Sequence, residues 1–201
     1  RQVNIPILSD VEIFFLACPA PIIGITGTKG KSTTTWLLGQ FLKRGPKKRI
    51  WVGGNIRKSV FEFLSRVKKS DVVVLELSSF QLDSLRAIRK SPHIAVITNI
   101  FPDHLNRYSS MAAYARSKAG IFKFQNPEDY LFINARDAVL RRIAAHASPR
   151  VIRFDPQKTL SRYRKYIPAH VPDFHLPNIA AAVAVARHFG VGERPIRRVL
   201  K

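Results

Sequence analysis

Between Gly24 and Thr35 the chain reads GITGTKGKSTTT, two glycines flanking a short turn and then a lysine and a hydroxyl side by side. Gly27 and Gly30 let a backbone curl until its N–H groups point inward, which makes a nest for an anion. An apolar strand precedes the turn and a helix follows it, so the helix N-terminus adds its partial positive charge to the same point. Lys31 is placed to neutralise terminal phosphates, and the Ser32 hydroxyl to ligate Mg²⁺. The spacing departs from the general GxxxxGK[ST] loop, whose first glycine would fall on Ile25; here it sits at Gly24 or Gly27.

A second chemistry-bearing residue is Glu76, at the end of the apolar run DVVVLEL. A strand's C-terminal end in an open α/β sheet meets the ligand crevice, and a carboxylate there suits a hard cation held together with phosphate oxygens. Taken alone, Glu76 reads first as a strand-end acid in a surface pair, and the phosphate loop reverses that reading; Lys118, in ARSKAGIFK, reads alone as a solvated helix lysine. His93, His146, His170 and His188 have no metal-ligand spacing and read as ordinary core or surface residues.

These residues need a scaffold, and the chain alternates strand, loop and helix throughout. Strands are expected at Pro21–Thr26, Arg49–Val52, Asp71–Leu77, His93–Ile100, Asp129–Asn134 and Arg150–Phe154. Several lack alternation, as strands covered on both faces do. Helices are expected near 31–43, 56–68, 111–124, 135–146 and 178–189, with another begun at 193–201. The apolar run 13–25 is too short to span a bilayer and carries two prolines, so it reads as a strand or helix entering a core. The basic, proline-containing stretch 156–176 reads as an irregular loop. The fold class is therefore α/β, a doubly wound and mostly parallel sheet carrying a P-loop.

Composition bounds the rest. The 201 residues carry 34 Lys and Arg against 13 Asp and Glu, a net +21. That attracts polyanions, but only KRGPKKR at 43–49 is dense; elsewhere the charge is scattered, as on solvated helix faces. A nucleotide-regulated nucleic-acid module is the remote alternative, with nucleic acid not expected as a partner. The one cysteine, Cys18, forms no internal disulfide and fits a reducing cytoplasm.

The form G-x-x-G-T-x-G-K-S resembles the loop shared by Mur ligases and folylpolyglutamate synthetases. GGNI (Gly53–Ile56), ELSSFQL (Glu76–Leu82), TNIFPDHLNRY (Thr98–Tyr108) and SKAGIF (Ser117–Phe122) follow in the order of the Mur ligase central domain. The resemblance implies an ATP-dependent ligase that activates a carboxylate as an acyl phosphate and joins it to an amine. ELSSFQL favours the members that add D-glutamate to UDP-N-acetylmuramoyl-L-alanine; another Mur ligase or a folylpolyglutamate synthetase-like enzyme is the alternative. It also implies roles. Gly27, Thr28, Lys29, Gly30, Lys31, Ser32 and Thr33 would hold the ATP phosphates, and Asn178 the adenine. Glu76, His104, Ser32 and a carbamylated Lys118 would hold Mg²⁺, two ions in all. Asn55, Ser78, Gln81 and His104 would contact the muramoyl-alanine part of the substrate. Lys31, Glu76, His104 and Lys118 would form the catalytic set.

The sequence departs from the family pattern at Lys29, in place of asparagine or aspartate, at Asn106, in place of aspartate, and at His175, in place of a second adenine-contacting asparagine. By the same resemblance, residues 1–20 lead in from an N-terminal domain, 21–190 are the central ATP-binding domain, and 191–201 lead towards a C-terminal domain. The expected protein is a cytoplasmic monomer without a membrane segment, and this stretch by itself is expected to form little product.

Overall fold

A computed structural model of the chain describes residues 7–45, 48–56, 59–102 and 108–201. Six strands form one sheet in the order β2-β3-β1-β4-β5-β6, every neighbouring pair parallel. They are β1 (Ile22–Thr26), β2 (Ile50–Gly54), β3 (Val72–Glu76), β4 (Ile94–Ile97), β5 (Tyr130–Asn134) and β6 (Arg150–Phe154). All six expected strands are present. The lack of alternation has the anticipated cause, since β1, β3 and β4 are buried along their whole length.

Successive strand residues feed two separate cores. Ile23, Ile25, Val72, Val74 and Val96 face α2 (Lys31–Leu42), α8 (Leu176–His188) and α9 (Glu193–Leu200). Ile22, Val73, Leu75, Ala95 and Ile97 face α1 (Asp10–Ala17), α3 (Phe61–Leu64), α4 (Ser79–Ala87), α5 (Met111–Ala119) and α6 (Ala138–Ile143). The fold is thus a three-layer, doubly wound α/β domain. The chain leaves β1 for β2 on one side and β4 for β5 on the other, so the strand order reverses between β1 and β4, where such sheets bind ligands.

Helices depart more from expectation than strands do. The run 13–25 divides into the end of α1, the Pro-containing link and β1. The segment 79–87 is a helix that no expectation covered. Its start is a capping box: Ser78 accepts from the Gln81 amide at 3.2 Å and the Gln81 side chain accepts from the Ser78 amide at 3.0 Å. The stretch 156–176 is not one irregular loop. Asp155 caps a short α7 (Pro156–Leu160), and two 3₁₀ turns follow. Pro156 and Pro177 stand in the first turns of α7 and α8, where a missing N–H costs nothing. The expected helix at 56–68 shrinks to Phe61–Leu64 among the described residues, and those at 111–124 and 135–146 shorten to α5 and α6.

At the β2–β3 edge, Asp71 accepts hydrogen bonds from the Trp51 indole at 2.8 Å and the Lys68 amide at 3.0 Å. Trp51 stacks on Phe63 and lies under the Arg49 and Arg66 guanidiniums. The Trp51 bond, then the Lys68 amide, holds the Asp71 carboxyl below its ordinary range. A depressed folded-state value makes the ionised form stabilising above the unfolded carboxylate range near pH ~3.9, and that contribution fades as pH falls through the folded value. We predict that Asp71→Asn melts below the parent at pH 7, and that the gap narrows once the pH drops below about 4. A gap constant from pH 7 to pH 3 in thermal melts would contradict this.

Candidate active site

β1 ends on Thr26 and hands the chain to the loop Gly27–Gly30, after which α2 begins. Gly30 is the helix N-cap at φ 79°, ψ 4°, a left-handed conformation that favours glycine, and no side chain caps the helix. A Cβ on Gly30 would overlap the Asn178 carboxamide. The first amides of α2 are therefore left open toward the crevice. The loop is braced by the segment after β4. Asn99 accepts from the Lys29 amide through its side-chain oxygen at 2.9 Å and donates back to the Lys29 carbonyl at 2.9 Å. The Asn99 carbonyl accepts from Thr28 N at 3.0 Å, Thr98 Oγ1 donates to the Lys29 carbonyl at 2.9 Å, and Thr28 Oγ1 accepts from Phe101 N at 3.0 Å. Lys31 folds over this loop, its Nζ donating to the Gly27 and Thr28 carbonyls at 3.0 Å each.

Glu76 ends β3 and stands opposite Ile25 of β1 and Gly54 of β2. It is 2% exposed. Asn55 holds it twice: its amide donates to the Glu76 carbonyl at 3.1 Å, and its Nδ2 to Oε1 at 3.2 Å. Gly54, at φ 94°, permits that approach, because a Cβ there would overlap the Glu76 backbone. The other oxygen, Oε2, is buried without a hydrogen-bond partner. A buried carboxylate oxygen left unpaired is costly.

Lys118 corrects the reading of it as a solvated helix lysine. It is 2% exposed, with Nζ 3.4 Å from Thr26 Oγ1 and 5.2 Å from the centre of the Tyr114 ring. Tyr114 in turn reaches Thr28 Oγ1 at 3.3 Å. Thr26, also fully buried, donates a hydrogen bond from Oγ1 to the Leu77 carbonyl at 2.8 Å. Loop, β3 end and α5 thus converge on Thr26. Next to Lys118, Ser117 donates to Asp83 at 2.9 Å and meets the Tyr108 hydroxyl at 3.1 Å.

Of the remaining expected residues, Ser32 and Asn55 are exposed at the crevice side of their elements, and Ser78 and Gln81 are engaged with one another in the α4 cap. Asn178 is 3% exposed with Oδ1 unpaired. It borders a cleft of about 610 Å³ that Lys29, Gly30, Thr98, Asn99 and Phe174 also line. His104 and Asn106 lie outside the described residues. Sequence reasoning gave no role to Thr26, Asn99 or Phe174. A polar residue closing the apolar strand IIGIT, and TN closing the β4 run, were the available signals for the first two.

The donor set fits magnesium. Glu76 offers an oxygen without a partner, Ser32 offers a hydroxyl, and a hard cation completes its shell with phosphate and water. Among the described residues no group of three or more His, Cys, Asp or Glu side chains is gathered to hold a metal unaided. No helix among the described residues is long and apolar enough to cross a membrane.

A parallel sheet with an amide-lined, lysine-bearing loop at its strand reversal defines a P-loop nucleotide-binding domain. Residues 25–172 match the Mur ligase middle domain, and the chain belongs to the Mur ligase family. It is 43% identical to the UDP-N-acetylmuramoylalanine--D-glutamate ligase of Symbiobacterium thermophilum over 77% of this chain and 33% of that one. To the ligase of the same name from a Geobacillus strain it is 38% identical, over 98% of this chain and 47% of that one. The chain thus spans half or less of the length of these relatives. The MurF ligase of Thermotoga maritima in complex with ADP shares the fold, with a TM-score of 0.71 over 98% of this chain and 55% of that one at 18% identity.

The contact between Gly30 and Asn178 is open to a double-mutant cycle. Gly30→Ala is expected to destabilise the chain by more than the ~1–2 kcal/mol of left-handed strain alone. In an Asn178→Ala background the cost should fall back towards that strain. Strict additivity in chemical denaturation would mean that the carboxamide does not abut Gly30.

Proposed function

We propose that the chain is the ATP-binding domain of a ligase that adds D-glutamate to UDP-N-acetylmuramoyl-L-alanine, converting ATP to ADP and phosphate through an acyl phosphate. The observation that carries this is the meeting at Thr26 of the Lys31 loop, the C-terminal end of β3 and the buried Lys118 amine, with the half-satisfied Glu76 carboxylate on that same strand end. The relatives' names supply the substrates.

In this reading the open amides of α2 and the Lys31 ammonium hold the β- and γ-phosphates, with Thr28 to Thr33 around them. A carboxylate oxygen of the muramoyl-alanine substrate attacks the γ-phosphorus, and the bond to the β–γ bridging oxygen breaks. The amine of the amino acid then attacks the acyl carbon and phosphate leaves. Such transfers need positioning and charge neutralisation more than covalent help. Glu76, Ser32 and Lys118 as its carbamate, with His104, would hold two Mg²⁺, which supply neutralisation of the phosphate charge. Lys118 is held beside Thr26 in the interior rather than on the solvated face of α5. Asn55, though exposed, fixes the Glu76 carboxylate through its Nδ2. The α4 cap uses Ser78 Oγ and Gln81 Oε1 as acceptors, so a substrate would be met by the Ser78 O–H and the Gln81 Nε2. The full reaction belongs to the full-length protein, whose flanking regions would carry the uridine diphosphate and the amino acid, in a monomer of the cytoplasm.

Full-length protein given ATP, Mg²⁺ and UDP-N-acetylmuramoyl-L-alanine should release phosphate with D-glutamate and not with rival amino acids. Lys31→Ala and Glu76→Gln should each lower kcat/KM by about 10²–10³-fold or more, as removal of a transition-state charge contact does. Phosphate release that ignores the amino acid offered would sink the assignment. For the modified lysine, protein equilibrated with ¹³C-bicarbonate should give a carbamate carbon resonance that Lys118→Ala lacks; an identical spectrum from both would remove the carbamate.

A further inference from the structure

At the opposite end of the sheet from the phosphate loop, a hollow gathers positive charge. Helices α4 and α5 follow β3 and β4 and run back along the sheet, so Arg86 and Arg116 in their last turns stand near the strands' N-terminal edge. The five residues of β1, rising about 3.3 Å each, place that edge roughly 15 Å from Gly27–Gly30. There Arg86, Arg116, Lys123, His146 and Ser148 line a hollow of about 290 Å³, with Phe122 and Ile143 as its apolar wall. Among the described residues none of the four basic side chains is paired with a carboxylate. A hollow of about 590 Å³ at Arg162, Arg164, Lys165 and Arg197 differs in this respect. Glu193 there holds Arg162 and Arg197, and Asp173 holds Arg164.

We propose that the hollow between Arg86 and Arg116 binds a phosphate monoester with a small apolar body. Like charges brought to one concavity repel, and an anion that joins them relieves the repulsion. A phosphate monoester presents three acceptor oxygens. The donors that face it come from four separate segments: α4, α5, the turn after α5 and the link after α6. The planar fork of an arginine can pair two of those oxygens at once, and Phe122 and Ile143 give the ester group an apolar surface. The volume suits a small ligand, at the lower end of the ~300–1,000 Å³ that ligand clefts span. Helix ends alone do not account for the cations. Each C-terminal end carries about half a negative charge, which Arg86 and Arg116 answer at their own helices. Lys123 and His146 stand beyond the ends of α5 and α6 and add to the same hollow. Arg89 extends this face: its φ of 53° is a conformation that usually falls to glycine after a helix, and its guanidinium lies 5.4 Å from the centre of the Phe124 ring, which Lys123 approaches to 5.7 Å. A nucleic acid fits less well, because stacking needs an open ring and Phe122 is only 9% exposed. The site does not depend on the nucleotide reading of the Lys31 loop.

The probe is phenyl phosphate, titrated into the ¹⁵N-labelled 201-residue chain in phosphate-free buffer and followed by amide chemical shifts. Saturable shifts are expected around residues 86, 116, 123 and 146–148, and the ligand should raise the melting temperature. Arg86→Gln and Arg116→Gln should each weaken binding by about 5-fold, the upper end for one exposed charge contact. Both side chains are exposed, so both variants should keep the parent's spectrum elsewhere. Lys31→Ala should leave these shifts unchanged, which separates the hollow from the phosphate loop. The proposal is overturned if no saturable shift occurs at those amides, if the shifts are confined to Gly27–Lys31, or if both arginine variants bind as the parent does. An equal loss from Arg164→Gln also overturns it, since the anion then lies in the other hollow. Tighter retention of a single-stranded oligonucleotide, weakened by Arg116→Gln, would make the face a nucleic-acid surface and end the small-ligand assignment.

Discussion

The brace between the phosphate loop and the end of β4 is the constraint on which the site rests. Glycines give the loop freedom but no shape, and Gly30 in its left-handed conformation is one of many states open to such a turn. Asn99 removes the alternatives. It is buried, and its two side-chain bonds to the Lys29 amide and carbonyl orient the peptide units on both sides of Lys29. Thr98 and Thr28 repeat the arrangement on either side. Since β1 and β4 are paired in the sheet, the loop is fastened to the strand beside the one that delivers it. Its amides are thus aimed before any ligand arrives, which is the condition under which fixed dipoles help a developing charge most.

The same strands do a second task. Alternate residues of β1, β3 and β4 anchor two cores, so the sheet cannot shift register without moving a full set of side chains to the wrong layer. That rigidity holds Glu76 level with Ile25 and Gly54. The buried acid, the buried lysine and the fully buried Thr26 would each be costly in isolation. Their cost is tolerable because the layers around them are well packed, with Phe14, Phe41, Phe63 and Phe132 almost wholly buried.

Much of this was legible in the residues, and the failures have physical causes. Strands were readable because strands covered on both faces leave unbroken apolar runs. The phosphate loop was readable because its chemistry is local, all within Gly24–Thr35. α4 was missed because Ser78 and Gln81 were weighed as ligand contacts, when S-x-x-Q before Leu82 and Leu85 is also a helix start. The stretch after β6 looked irregular because its prolines signal breaks in a sequence and helix starts in a structure. Lys118 illustrates the limit most sharply. Nothing in ARSKAGIFK distinguishes a solvated lysine from a buried one; only the packing of α5 against β1, remote in sequence, decides it. Asn99 is silent for the same reason, since it acts on a segment far along the chain.

Lys31 carries a last implication. Its ammonium is already held by the two carbonyls of Gly27 and Thr28, so little side-chain freedom remains to be lost when an anion arrives. The two carbonyls occupy two of its three N–H groups, so the third can meet an incoming oxygen without either bond being broken. The charge thus stands beside the loop already oriented, and an arriving anion adds to its partners rather than replacing them.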